Sequence, residues 1–447
     1  MDFEDAPLRP FHLRLAAASG GGVFSCGVAL GVVGIALGLA TPQLHLTPSW
    51  IGLLGAASLA GLFFGALAAG PVADRFGRRA IFGYNMAFLA VFCALQFFVV
   101  SSVQLLTLRL AIGFVLGTDF VVGKTVVSEF TPRVYRGRIL GVLSIAWAGG
   151  FAFGYFVAYA LRTVDADAWR WMLLASAVPC LPAFLLRVTI PETPLWLAEH
   201  GRADRAARVV LGIFGTGVMP PGPAHSPSRG QARWRQLFSP TWRRRTLIGL
   251  TVYTCQTIPY FAVGTFVAEV ISALNLHAGY VGGLFYNLAL LIGAALGLIV
   301  VDRISRRGFL VGSFVLTALA VLPLALGVSL SPVGITILFG IYATVLSCAV
   351  ILDYVYLPEL FPTDLRASGI ALALAGSRIG ATVGTFLLPV VVADFGPRVA
   401  IAACVAVLLI GAAICHVWAP ETRNVRLATV DAGATLSDVA SPAGNGG

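Results

Sequence analysis

Long apolar runs alternate with short polar breaks along almost the whole chain. Residues 16–40, "AAASGGGVFSCGVALGVVGIALGLA", hold no charge over 25 positions. A bilayer core asks for about 20 apolar residues per helix, and only helices or closed barrels satisfy the backbone there. Continuous runs of this length exclude barrel strands. Marking each run predicts twelve helices, at 16–40, 50–72, 80–100, 104–128, 137–161, 169–189, 246–272, 278–300, 308–328, 331–356, 367–393 and 397–418. The first run is longer than the roughly 7–15 residues of a signal-peptide core and follows Asp2, Glu4 and Asp5, so it reads as a retained helix. The expected organisation is a segment 1–15, a six-helix unit 16–189, a polar central loop 190–245, a second six-helix unit 246–418 and a tail 419–447. The loop contains "GVMPPGPAHSPSRG", which has linker composition, and the small polar tail has the composition of a disordered segment.

Composition agrees with an all-α membrane protein. Hydrophobic residues make up 58% and charged residues 11%, where a soluble chain carries roughly a quarter charged. Placing the N-terminus inside puts 24 of the 30 basic residues in cytoplasmic segments and three in outer loops, leaving Arg109, Lys124 and Arg378 within helices. The positive-inside rule then sets both termini in the cytoplasm. Topology and anionic headgroups account for the net charge of +10, and nothing points to nucleic acid.

The polar breaks repeat. "ADRFGRR" at 73–79 returns as "VDRISRR" at 301–307, with Asp302 following Asp74 by 228 positions. "SEFTPRVYRG" pairs with "PELFPTDLRA", Glu129 with Glu359 and Arg136 with Arg366, at an offset of 230. "PETPLW" pairs with "PETRNV", Glu192 with Glu421, at 229. Three motifs in one order indicate a duplicated six-helix unit. Parallel repeats of this kind imply two halves rocking around a midplane site.

The stretch "GPVADRFGRR" at 70–79 resembles the signature between helices two and three of the major facilitator superfamily, and the likeness covers nearly the whole chain. Helix four with its following loop is similar to the sugar-porter, organic-ion and metabolite–proton symporter branches, "YLPELFPTDLRASG" and "SRIGATVG" most resemble the organic-ion and metabolite symporter branches, and "PETPLWL" resembles the end of helix six in sugar porters and their relatives. The resemblance implies twelve transmembrane helices in two pseudo-symmetric bundles and transport by alternating access. It also implies an inner gate of Asp74, Arg75, Arg78, Glu129, Arg136, Asp302, Arg303, Glu359 and Arg366. Such carboxylates cap helix N-termini or pair with arginines of the opposite half, and bias one of two states.

Charges inside the membrane are costly and usually functional. Arg109 aligns with a helix-four arginine of sugar porters that works with an acid on helix one, but here that stretch is "FSCG", with Gly27 at the acid's place. Arg109 reads either as a substrate-site residue or as a side chain snorkelling to the outer interface. Asp119, in "LGTDFVVG", is expected to couple protons as a lone carboxylate in low dielectric; the other reading is a permanent bridge to a cation. Lys124, the only lysine, either meets Asp353, a second proton-coupling candidate and its partner in a possible gate pair, or reaches the interface. Arg378 either grips a substrate carboxylate in bidentate fashion or pairs with lipid phosphate or a gate acid. Gln256, Tyr260, Tyr354 and Trp147 complete the expected substrate pocket, and Pro259 is expected to unwind helix seven.

Other chemistries lack a motif. The seven cysteines fall in predicted helices with no CxxC, the six histidines have no metal spacing, and no GxxxxGK[ST] is present. No cofactor, metal or enzymatic activity is expected. The reading is a monomeric multi-pass transporter of the cell membrane importing a small organic anion, such as a carboxylate metabolite or aromatic acid, with protons. Drug or metabolite efflux and sugar transport on the same fold are the alternatives. A sensor built on a transporter fold would carry a larger cytoplasmic domain.

Overall fold

The computed structural model describes residues 6–219, 235–274, 279–301, 303–361 and 363–422. Asp302 of the expected gate lies outside them, as do the side chains of Tyr354 and Arg366. Helices α1 (Pro10–Gly31) and α2 (Val33–Leu44) form the first crossing. Then come α3 (Pro48–Phe76), α4 (Arg78–Leu95), α5 (Ser102–Phe130), α6 (Arg133–Leu161) and the pair α7 (Ala168–Ala175) and α8 (Cys180–Val188). The central segment carries α9 (Pro194–Glu199) and α10 (Ala203–Phe214). The second half runs through α11 (Arg243–Thr265) with α12 (Val267–Ala273), α13 (Gly279–Val300) and α14 (Arg306–Ala325). It ends with α15 (Pro332–Ala349) and α16 (Leu352–Leu360), α17 (Thr363–Phe395) and α18 (Pro397–Trp418).

Eleven of the expected crossings are each long and apolar enough to span a bilayer among the described residues. The seventh, α11 with α12, is diluted by Thr, Tyr and Gln residues and is split. Its break corrects the expectation at Pro259. The helix runs on through Pro259 and stops at Phe266, where φ is −111°. Pro259 has no N–H to give the Cys255 carbonyl four residues earlier, a loss that membrane helices tolerate, and the Tyr342 hydroxyl donates to the Pro259 carbonyl at 3.1 Å.

Packing repeats as the motifs do. In the first half α1 lies on α6 and α3 on α5, and in the second α11 lies on α17 and α13 on α15. These are the same pairings advanced by six crossings. The halves meet along α3–α17 and α6–α13. Away from the chain termini they touch backbone to backbone. A Cβ on Gly34 would strike the Thr265 carbonyl, and one on Gly52 the Phe386 carbonyl, so only glycine permits this approach.

Candidate functional site

The duplicated polar clusters build the same joint twice at the arginine-rich end. Arg78 opens α4 and its Nε lies 2.9 Å from the Glu129 carboxylate at the end of α5. Asp74, largely exposed, is 3.8 Å from Arg78. Glu192 accepts from the backbone amides of Arg78 at 3.1 Å and Arg79 at 3.2 Å, placing a carboxylate at a helix N-terminus where the macrodipole favours it. In the second half Arg306 sits 3.7 Å from Glu359, and Glu421 accepts from the amides of Arg306 at 2.9 Å and Arg307 at 3.1 Å. Gly77 connects α3 to α4 at φ 91° with the Glu192 carboxylate against its Cα, where a side chain is both strained and obstructed.

These pairs lie within each half, so of the two contacts expected of gate carboxylates, helix capping and pairing across the halves, the joints show capping together with arginine pairs inside one bundle. The reason is reach: Glu129 and Glu359 each find an arginine on the neighbouring helix of their own bundle. Arg136 bonds the Thr131 carbonyl at 3.3 Å, Arg75 lies over the Phe76 ring at 5.5 Å, and Arg303 is exposed. Glu192, Glu421 and Arg306 are missing from the expected set. The signal for them was the offset itself, since Arg306 follows Arg78 by the same 228 positions as Asp302 follows Asp74.

Inside the membrane the structure separates the expected residues into two groups. Asp119 is not a lone carboxylate. It forms a two-point pair with Arg187 of α8, one contact at 3.1 Å, and both side chains are almost fully buried. Arg187 also donates to the carbonyls of Ala18 at 3.0 Å and Phe82 at 3.2 Å and lies over the Phe82 ring at 4.2 Å. Arg187, one of the 24 basic residues assigned to the cytoplasmic side, is therefore corrected to a buried position: it stands at the end of an apolar run, and only the packing of α8 against α1 and α4 brings it to Asp119. Arg109 is buried, with Nη1 3.4 Å from the Ala29 carbonyl. A side chain at Gly27 would meet the Trp147 carbonyl at 2.6 Å, so the close α1–α6 contact leaves no room there for the helix-one acid of sugar porters. Neither Asp119 nor Arg109 lines the cavity between the halves.

That cavity, about 60 Å³, is lined by residues that include Trp147, Gln256, Tyr260, Asp353 and Arg378. Five of the expected residues thus converge. Sequence reasoning missed the rings of Phe120, Tyr253 and Phe261, which also line it; apolar residues in apolar helices carry no signal of which way they face. Phe120 and Trp147 meet edge to face at 5.4 Å, and Trp147 reaches Phe261 at 6.4 Å. The Arg378 guanidinium lies 5.6 Å from the Phe120 ring of one half and 5.4 Å from the Phe261 ring of the other. Its Nε is buried without a hydrogen-bond partner, as is Oδ1 of Asp353. Asp353 stands in the first turn of α16, just past the α15–α16 break, within the fields of Arg378 and Lys124. The Lys124 ammonium is 4.4 Å from the Phe120 ring centre. A cation and an anion, each with an open hydrogen-bonding position among aromatic faces, suit a flat polar solute.

The chain is similar to known transporters over nearly its full length. The family described as "Sugar (and other) transporter" matches residues 36–433. The inner membrane metabolite transport protein YgcS of Escherichia coli is 36% identical over 95% of both chains. The niacin transporter NiaP of Acinetobacter baylyi is 25% identical, covering 96% of this chain and 98% of its own. Among solved structures, the xylose transporter XylE from E. coli, in a partially occluded inward-open conformation, superposes with a TM-score of 0.78 at 18% identity, covering 93% of this chain and 100% of its own. Signature, duplicated bundles and family match agree: the chain belongs to the sugar (and other) transporter family of the major facilitator superfamily, and is a multi-pass membrane transporter rather than an enzyme.

Proposed function

We propose that the protein is a proton-coupled symporter of a small organic anion, an aromatic or otherwise flat carboxylate, with both termini in the cytoplasm and a single chain as the working unit. The observation that carries this is the cavity between the halves, where the open positions of Arg378 and Asp353 face one aromatic-walled space. Arg378 supplies a planar fork for a carboxylate, and the rings supply stacking surface. Asp353 takes the proton-carrying role first expected of Asp119, because it meets the cavity while Asp119 is already paired. A proton moving with the anion cancels its charge during the crossing. The cavity as it stands has room for about two water molecules at ~30 Å³ each, so loading needs the halves to part, as alternating access requires. The name of the relative NiaP, a niacin transporter, is consistent with this reading.

The test is uptake into vesicles with a panel of labelled carboxylates, sugars and organic cations, with and without an imposed pH gradient. Arg378→Lys is expected to weaken anionic substrates about tenfold or more, through loss of the bidentate fork, and a neutral isostere much less. Equal loss for both would leave Arg378 a structural residue. A second reading, sugar transport, draws on Ser144, Gln256, Thr257 and Ser347 in the lining; saturable uptake of a sugar but of no acid would establish it instead.

A further inference from the structure

A second recess, of about 750 Å³, opens on the outside of the first half at the arginine-rich end. Helix α10 forms one wall. Its Ala206, Val210 and Phe214 are buried against the bundle, while Arg205 and Arg208, with Arg202 just before the helix, stand exposed three residues apart. The recess is lined by these three arginines and by Arg79 of α4. Among the described residues its one carboxylate is Glu192, whose two oxygens are taken by the amides at the start of α4. Arg202 lies 5.6 Å from the Trp196 ring and Arg208 bonds the Asp204 carbonyl at 3.4 Å. Four guanidinium groups thus share a recess in which the sole carboxylate already serves another purpose.

The other wall is apolar and open. Phe76 is 63% exposed, Tyr84 58% and Val188 41%. They lie on α3, α4 and α8, which belong to bilayer-spanning segments, so this wall runs into the hydrocarbon layer. A soluble anion would use the arginines and leave the rings idle. An amphiphile with an anionic head uses both. We infer that the recess binds the phosphate headgroup of an anionic phospholipid in the leaflet at the arginine-rich end, with its acyl chains along α4 and α8. Arginine forks pair with phosphate oxygens at two points, and each arginine near an anionic surface is worth about a fivefold change in affinity. This inference is independent of which solute the central cavity carries.

The experiment is native mass spectrometry of the full-length protein, delipidated in neutral detergent and titrated with phosphatidylglycerol, phosphatidylcholine or inorganic phosphate. Phosphatidylglycerol adducts are expected at least about tenfold below the concentration needed for phosphatidylcholine. The triple variant Arg202→Ser, Arg205→Ser, Arg208→Ser is expected to erase that preference, and the triple Lys variant to keep most of it. Equal binding of the two lipids, or an unchanged preference in the Ser variant, overturns the inference. So does inorganic phosphate that binds as tightly as the lipid, because the source is then soluble. Photoactivatable phosphatidylglycerol on the unmodified protein gives a readout that needs no variant to fold. Labelled peptides from α4, α8 or α10 support the site, and labelling confined to other helices removes it.

Discussion

At the scale of single residues, the two carboxylates considered for proton coupling stand in different surroundings: Asp119 is held in a buried ion pair, and Asp353 meets the central cavity with an open oxygen. Breaking a buried pair leaves the other charge stranded and typically costs about 3–5 kcal/mol. Asp119→Asn is therefore expected to lower the melting temperature of the detergent-solubilised protein sharply. Asp119→Leu combined with Arg187→Met is expected to recover much of the loss and to retain accumulation driven by a pH gradient. A folded double variant that no longer couples would return the proton to Asp119. Asp353→Asn is expected to do the reverse: near-normal stability, lost accumulation under a pH gradient, and retained substrate-for-substrate exchange, since exchange needs no net proton release. Asp119 was visible in the sequence as a carboxylate among apolar residues. Arg187, 68 positions away, was not, because the distance between them is set by how α8 packs and not by any local spacing.

Among the elements, the two carboxylates that cap α4 and α14 are the clearest product of the repeat. Glu192→Gln or Glu421→Gln keeps the shape but removes the charge from a helix N-terminus, with an expected cost of about 1 kcal/mol each, read as a modest shift in the thermal unfolding curve. Gly77→Ala is expected to cost more than either, because φ of 91° and the Glu192 carboxylate both oppose a side chain. Gly83→Ala, where an added Cβ meets open space inside α4, is the matched control and is expected to raise stability by about 0.5–1 kcal/mol. The crossings and the duplication were legible from apolar runs and one recurring offset. Partner choice was not. The gate carboxylates were expected either to cap helices or to pair across the halves, and Glu129 and Glu359 instead each pair with an arginine of their own bundle. The break at Phe266 was hidden for a different reason, since proline is the local signal for a break and the helix runs through Pro259 to stop at a phenylalanine.

For the whole molecule, the backbone contacts of Gly34 and Gly52 hold the halves together away from the termini. Gly52→Val is expected to force them apart there, because the added side chain meets the Phe386 carbonyl. Hydrogen–deuterium exchange at α2, α12 and the far end of α17 is expected to rise, and an unchanged pattern would mean that the seal lies elsewhere. The joints at the other end have a different consequence. Each closes the end of a bundle's last crossing onto its third and fourth: Glu192 onto α4 beside Glu129, Glu421 onto α14 beside Glu359. A bundle fastened in this way does not need its sister to hold its own helices in register. Two separately synthesised polypeptides, divided between residues 219 and 235 and produced in the same cell, are then expected to find each other in the membrane and restore uptake, much as subunits of a heterodimer would.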